Sequence, residues 1–126
     1  MTRAGASTVS IIVPTLNRAP YLTATLNNLL VQTVPTWELF VVNDGCSDDT
    51  EAVLQAYADH IVYLAQPNAG KYSAINHALH RAPDKYVWVF DDGDLACNDA
   101  LARHFAVLER QPEVACTISG SSYVGT

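Results

Sequence analysis

Val87-Trp88-Val89-Phe90-Asp91-Asp92-Gly93-Asp94 (VWVFDDGD) joins four large apolar residues to three carboxylates within four positions. The apolar half reads as a β-strand over Tyr86 to Phe90, apolar on both faces, as central strands of parallel sheets are. The acidic half is harder to satisfy. Carboxylates this close repel one another, and each resists ionising beside the others. A chain that keeps them together needs a cation or a polyhydroxyl ligand to meet them.

The same unit, a short apolar strand followed by a polar cluster, recurs upstream. Thr8 to Val13 precedes PTLNR, Trp37 to Val42 precedes NDG, and His60 to Ala65 precedes the loop that holds NAGK. Helical patterns lie between. Leu22, Leu26, Leu29 and Leu30 form a stripe behind Pro20, a good first helical residue, and Pro35 closes that segment. Ser47 or Asp48 can cap a helix bearing Val53, Leu54 and Tyr57. Lys71 to Arg81 is helical, with Ile75, Ala78 and Leu79 on one side and Pro83 as its stop. Asn98 can cap a last helix with Leu101, Phe105 and Leu108. Val114 to Ser119 reads as a weaker fifth strand.

Strands alternating with helices imply right-handed βαβ units, hence an α/β fold with three layers and a doubly wound, mostly parallel sheet. Such sheets bind ligands beyond the carboxyl ends of their strands. The four polar clusters all follow strands, so they are expected to meet at one edge. Taken alone, Asp44 reads as an Asx turn with Gly45. Arg18 and Lys71, taken alone, are surface cations; together at one edge they suit a phosphate. The acids after the fourth strand suit Mg²⁺ or Mn²⁺. His77 and His80 lie three apart on one helix, and with no third ligand near them they read as helix-surface residues.

Composition narrows the class. The 126 residues are 49% hydrophobic and 16% charged, with a net charge of −6. That supports one folded domain, residues 8–126, behind a tail of residues 1–7. An acidic chain without a basic stripe excludes nucleic acid as the expected partner. No apolar run reaches the roughly 20 residues of a membrane span, and MTRAGAST lacks a secretory h-region. Cys46, Cys97 and Cys116 fit neither a zinc spacing nor a disulfide framework, so free thiols in a cytoplasmic protein are expected. A receiver-like domain, which also gathers acids at strand ends, would place an acidic pair after the first strand, where this chain has PTLNR.

Four motifs in order, IIVPTLNR (Ile11 to Arg18), VVNDGCSDDT (Val41 to Thr50), NAGKYSAINHAL (Asn68 to Leu79) and VFDDGDLACNDAL (Val89 to Leu101), resemble the family 2 glycosyltransferases of the GT-A fold. The resemblance covers nearly the whole chain, Ser10 to Ser119. It implies a nucleotide-sugar donor, most often a UDP-sugar, and an inverting hexosyl transfer to an acceptor hydroxyl. Pro14, Thr15, Asn17 and Arg18 match the loop against the base and diphosphate. Asp44 matches the aspartate that reads uracil. Gly70, Lys71, Ala74 and Asn76 match the helix beside the donor. Asp91 and Asp92 open the DxD element that holds ribose and metal, with Mn²⁺ or Mg²⁺ as the cofactor; with glycine at position 93, Asp92 and Asp94 stand in as the metal ligands in a shifted DxD.

Gly93 departs from the family register, which expects a metal-holding aspartate there. On an extended backbone its neighbours would point away from that place, so Gly93→Asp is expected to tighten metal-dependent UDP binding about tenfold. The catalytic base is expected in an acceptor half beyond this chain. The chain therefore reads as a truncated donor-binding half, or as a non-catalytic nucleotide-sugar-binding module. An exposed sheet edge is expected to favour a homodimer.

Overall fold

The computed structural model describes residues 9–32, 37–82 and 86–120. Thr8, Pro35, Pro83 and the 1–7 tail lie outside the described residues. Eight elements alternate: β1 (Val9–Thr15), α1 (Ala19–Leu30), β2 (Trp37–Asn43), α2 (Thr50–Gln55), β3 (Val62–Ala65), α3 (Lys71–Leu79), β4 (Tyr86–Val89) and α4 (Ala100–Arg110). All strand pairs are parallel, in the order β3-β2-β1-β4. The chain thus winds outward from β1 in one direction, then returns to place β4 on its other side. The reversal between β1 and β4 is the switch point at which doubly wound sheets open a crevice.

Two apolar clusters make the three layers. Ile11, Val13, Leu39 and Val41 point to one face, where Leu22, Leu26 and Leu29 of α1, Leu54 of α2 and Leu101 of α4 cover them. Ile12, Phe40, Val42 and Leu64 point to the other, under Ala74 and Ala78 of α3. Small residues on α3 let its axis approach the sheet closely. The expected apolar side of that helix is therefore rotated: Ala74 and Ala78 face the sheet, Ile75 is half-buried and Leu79 is exposed.

Three expectations change. β4 is an edge strand among the described residues, not a central one: it pairs with β1 alone. Tyr86 and Trp88 pack against the α1 side, but Val87 and Val89 remain 42% and 41% exposed because α3 covers β1 and β2 and stops short of β4. Residues 114–119 form no strand. Ile118 is 91% exposed, and a β-prone segment without a partner edge builds no ladder. Asp99, rather than Asn98, occupies the cap position of α4, and Asp49 that of α2. Asp48 nevertheless serves two helix starts: its carboxylate accepts the Thr50 N–H at 3.0 Å and the Ala19 N–H at 3.2 Å.

Among the described residues no helix is long and apolar enough to cross a membrane. All three cysteines are free.

Candidate functional site

A cleft of about 470 Å³ opens at the carboxyl ends of the strands, lined by Pro14, Thr15, Leu16, Arg18, Asp44, Gly70, Lys71, Asp91, Asp92 and Asp94. Every strand contributes through the loop that comes after it. Of the residues assigned from sequence, Ala74 and Asn76 of α3 are not among the lining: Ala74 is buried against the sheet and Asn76 is exposed. Asn17 is not among it either. It sits at φ 53, a left-handed conformation that asparagine tolerates, and its Oδ1 accepts the Ser47 N–H at 2.8 Å. Asn17 therefore shapes the loop rather than the cleft wall.

Asp44 forms the floor and is only 3% exposed. Its Oδ1 accepts from Gln66 Nε2 at 2.8 Å and from the Ala69 N–H at 2.9 Å, and its Oδ2 accepts from the Gly70 N–H at 3.1 Å. Burial raises its pKa, but these three hydrogen bonds outweigh burial and hold the carboxyl below its ordinary value. The expected Asx turn belongs to its neighbour: Asn43 Oδ1 accepts the Cys46 N–H at 2.7 Å. Gly45 lets the Asn68 backbone lie close, since a Cβ there would stand 2.6 Å from the Asn68 nitrogen.

The opposite wall carries opposed charges. Lys71, at the start of α3, pairs with Asp91, which raises the lysine pKa. Arg18 Nε lies 3.5 Å from Asp92 Oδ1, and its guanidinium stacks 4.5 Å over the Tyr21 ring. The Thr15 hydroxyl donates to Asp92 Oδ2 at 2.8 Å. Burial pushes the Asp92 carboxyl up, against the pull of Thr15 and Arg18.

The acids do not continue the strand. The Asp94 N–H reaches the Asp91 carbonyl at 3.2 Å, closing a turn with Gly93 at φ 91. Helix α1 pins this turn and the segment leading into α4. Thr25 Oγ1 accepts the Gly93 N–H at 2.8 Å and donates to the Asp94 carbonyl at 3.1 Å. Asn28 exchanges two 2.8 Å bonds with the Ala96 backbone. Gln32 donates to the Cys97 carbonyl at 3.0 Å and accepts the Leu101 N–H at 3.1 Å. Thr25 and Asn28 on α1 and Gln32 just beyond its end, spaced three and four apart, thus form a polar ladder along residues 93–101. In the sequence of α1 the leucines are the dominant pattern. The polar signal was present at the same helical period.

Gly93 thus lies in a turn and not on the extended backbone that the expectation for Gly93→Asp assumed. A Cβ at Gly93 would stand 2.6 Å from Arg18 Nη2, on a backbone that side chains rarely adopt. The guanidinium can move aside, but the φ cannot relax without breaking the turn. Both Gly93→Ala and Gly93→Asp are expected to lose about 1–2 kcal/mol in chemical denaturation, the cost of left-handed backbone for an L-residue. A carboxylate at position 93 would meet Arg18 rather than an open cation site. Should the cleft take UDP with Mn²⁺, Gly93→Asp is expected to leave that binding within about twofold in calorimetry; a tenfold gain would restore the simple family register.

No group of three His, Cys, Asp or Glu converges on a cation position among the described residues. The donor chemistry still fits Mg²⁺ or Mn²⁺ of the kind that arrives with phosphate. Such ions take one or two carboxylates and complete their shell with substrate oxygens and water. Asp92 and Asp94 lie on the cleft wall with that chemistry.

The model of the family described as "Glycosyl transferase family 2" matches residues 10–126. TuaG, a glycosyltransferase assigned to teichuronic acid biosynthesis in Bacillus subtilis, is 36% identical over 120 residues, covering 91% of this chain and 46% of that protein. The mannosyltransferase PcManGT from Pyrobaculum calidifontis, solved with GDP-Man and Mn²⁺, superposes with a TM-score of 0.76 at 28% identity. That match covers 83% of this chain and 33% of PcManGT. S. aureus TarS, solved with UDP-GlcNAc, gives 0.75 at 28% identity, over 83% of this chain and 32% of TarS. The chain thus spans less than half the length of these relatives. With a match over nearly its whole length, and with the GT-A arrangement of strands and cleft, the chain belongs to glycosyl transferase family 2.

Proposed function

We propose that the cleft binds a UDP-sugar and that this chain is the donor-binding part of an enzyme that transfers the sugar to an acceptor hydroxyl. The observation that carries this reading is Asp44. Two donors saturate its Oδ1, whereas Oδ2 receives one and keeps acceptor capacity at the cleft. An ionised carboxylate accepts from an imide N–H, such as N3–H of uracil. It is repelled by the bare N3 lone pair of cytosine.

Arg18 and Lys71 supply the positive charge that a diphosphate needs. Pro14, Thr15 and Gly70 shape the walls, and Asp91 would meet the ribose hydroxyls. Asp92 and Asp94 would hold Mn²⁺ or Mg²⁺. A bound ion would neutralise charge growing on the diphosphate leaving group as the sugar–phosphate bond breaks. No base for the acceptor hydroxyl is assigned within this chain.

Calorimetry with UDP, CDP, ADP and GDP, each with and without Mn²⁺, tests the reading. UDP is expected to bind at least tenfold tighter than CDP, about 1.4 kcal/mol, with the purine diphosphates weaker than UDP. Equal affinity for all four would overturn it.

A further inference from the structure

Behind Asp44 a second pair of side chains runs away from the cleft. Gln66, just after β3, turns its amide nitrogen to Asp44 Oδ1 at 2.8 Å and lies 3.5 Å from Ser73 Oγ. Its amide oxygen faces His77 Nδ1 of α3 at 3.1 Å. The donor and acceptor roles run in one direction. A carboxylate only accepts, so the Gln66 group facing Asp44 is the NH₂. The Gln66 oxygen then faces His77, and an amide oxygen only accepts. His77 Nδ1 therefore carries the proton.

We propose that Gln66 and His77 are positioning residues for base recognition: His77 Nδ1–H fixes the Gln66 amide, and Gln66 fixes the rotation of the Asp44 carboxylate that meets the base. This rests on the donor reading given above and extends it to residues that line no part of the cleft. His77 is a donor at Nδ1 in its neutral form, and its half-buried ring is held by α3. Without it, Asp44 still selects the Gln66 nitrogen, but the far end of the amide loses the partner that fixes its position, and the direction of its bond to Asp44 Oδ1 is no longer held. The Ala69 and Gly70 N–H bonds would hold Asp44 in place, but its acceptor direction into the cleft would spread. Loss of aim, rather than loss of the pocket, is the result.

The role separates from simple packing through the shape of each substitution. His77→Ala removes the donor. His77→Asn keeps one, because the asparagine Nδ2 stands where the histidine Nδ1 stood. For His77→Ala, the UDP-over-CDP preference is expected to fall about tenfold, through weaker UDP binding at nearly constant CDP binding. For His77→Asn it is expected to stay within about twofold of wild type. A preference unchanged in His77→Ala, or lost equally in His77→Asn, overturns the relay. A wild-type chain that does not prefer UDP overturns the donor reading, and the role with it. Nitrogen-15 spectra of imidazole-labelled protein then judge the network independently of any ligand. In its neutral form, His77 is expected as the Nδ1–H tautomer, which is the minor form of a free imidazole. The Nε2–H tautomer would show that His77 does not hold Gln66.

Discussion

Asp44→Ala is expected to lower the stability of the chain and to abolish the preference for UDP in the same step. The carboxylate collects Gln66 Nε2, the Ala69 N–H and the Gly70 N–H between 2.8 and 3.1 Å. Removing it strands three donors around a floor position that is 3% exposed. A buried donor left unpaired costs about 1–3 kcal/mol, and water entering from the open cleft recovers part, so a net loss of about 2–3 kcal/mol is expected. Urea denaturation at constant slope would register it as a lower midpoint. UDP binding should weaken by about 1–3 kcal/mol, since the base loses its acceptor.

Asp44→Asn makes the test sharper. If the amide nitrogen takes the cleft side, it donates to cytosine N3 and repels the uracil imide, so CDP should overtake UDP. If UDP remains preferred while the amide nitrogen occupies the cleft side, the carboxylate does not read the base. The pH dependence has a defined sign. The folded carboxyl lies below its ordinary value, so its contribution to stability is complete above the unfolded pKa. That contribution fades as pH falls below the ordinary carboxylate range, and Asp44→Ala should lack this part of the acid transition.

The strand-and-cluster rhythm was legible because hydrophobic period and turn residues are local properties. Each polar cluster comes after its strand by chain connectivity, so their convergence followed from the fold class alone. The order of neighbours lay beyond local pattern. An apolar strand on both faces can be central, or it can lie at an edge with one face uncovered, as Val87 and Val89 do. The weak strand at 114–119 failed for a related reason: propensity names a conformation, whereas a strand needs a partner.

The site was legible by residue type but not by role. Asp44, Arg18, Lys71, Asp91, Asp92 and Asp94 all line the cleft as expected. Their inner supports are long-range. Gln66 and His77 are 11 residues apart, and Thr25 meets the acidic turn 68 residues away. No spacing rule links such pairs. At Gly93 the extended register ends with β4, and of the two conformations open to glycine there the chain takes the turn, at φ 91.

Thr25→Val is expected to be the most damaging conservative change outside the cleft. The threonine is fully buried on α1 and makes two bonds to the acidic turn, accepting from Gly93 N–H and donating to the Asp94 carbonyl. Valine keeps the shape and removes both bonds, so packing and backbone propensity barely change while two backbone groups lose their partner. The expected cost is about 1–3 kcal/mol of stability. The functional consequence is larger than that of an equal loss elsewhere, because the turn positions Asp91, Asp92 and Asp94 together. The lower rungs, Asn28 and Gln32, still hold residues 96–101, so helix α4 should stay docked while residues 91–94 loosen. Manganese-dependent strengthening of UDP binding should then fall severalfold in Thr25→Val, while the UDP-over-CDP preference set at Asp44 stays unchanged. Thr25→Ser keeps the hydroxyl and should restore the metal dependence to within about twofold. If Thr25→Val loses stability but keeps full metal dependence, the turn is held by its own 91–94 hydrogen bond, and the helix ladder serves the fold rather than the acids.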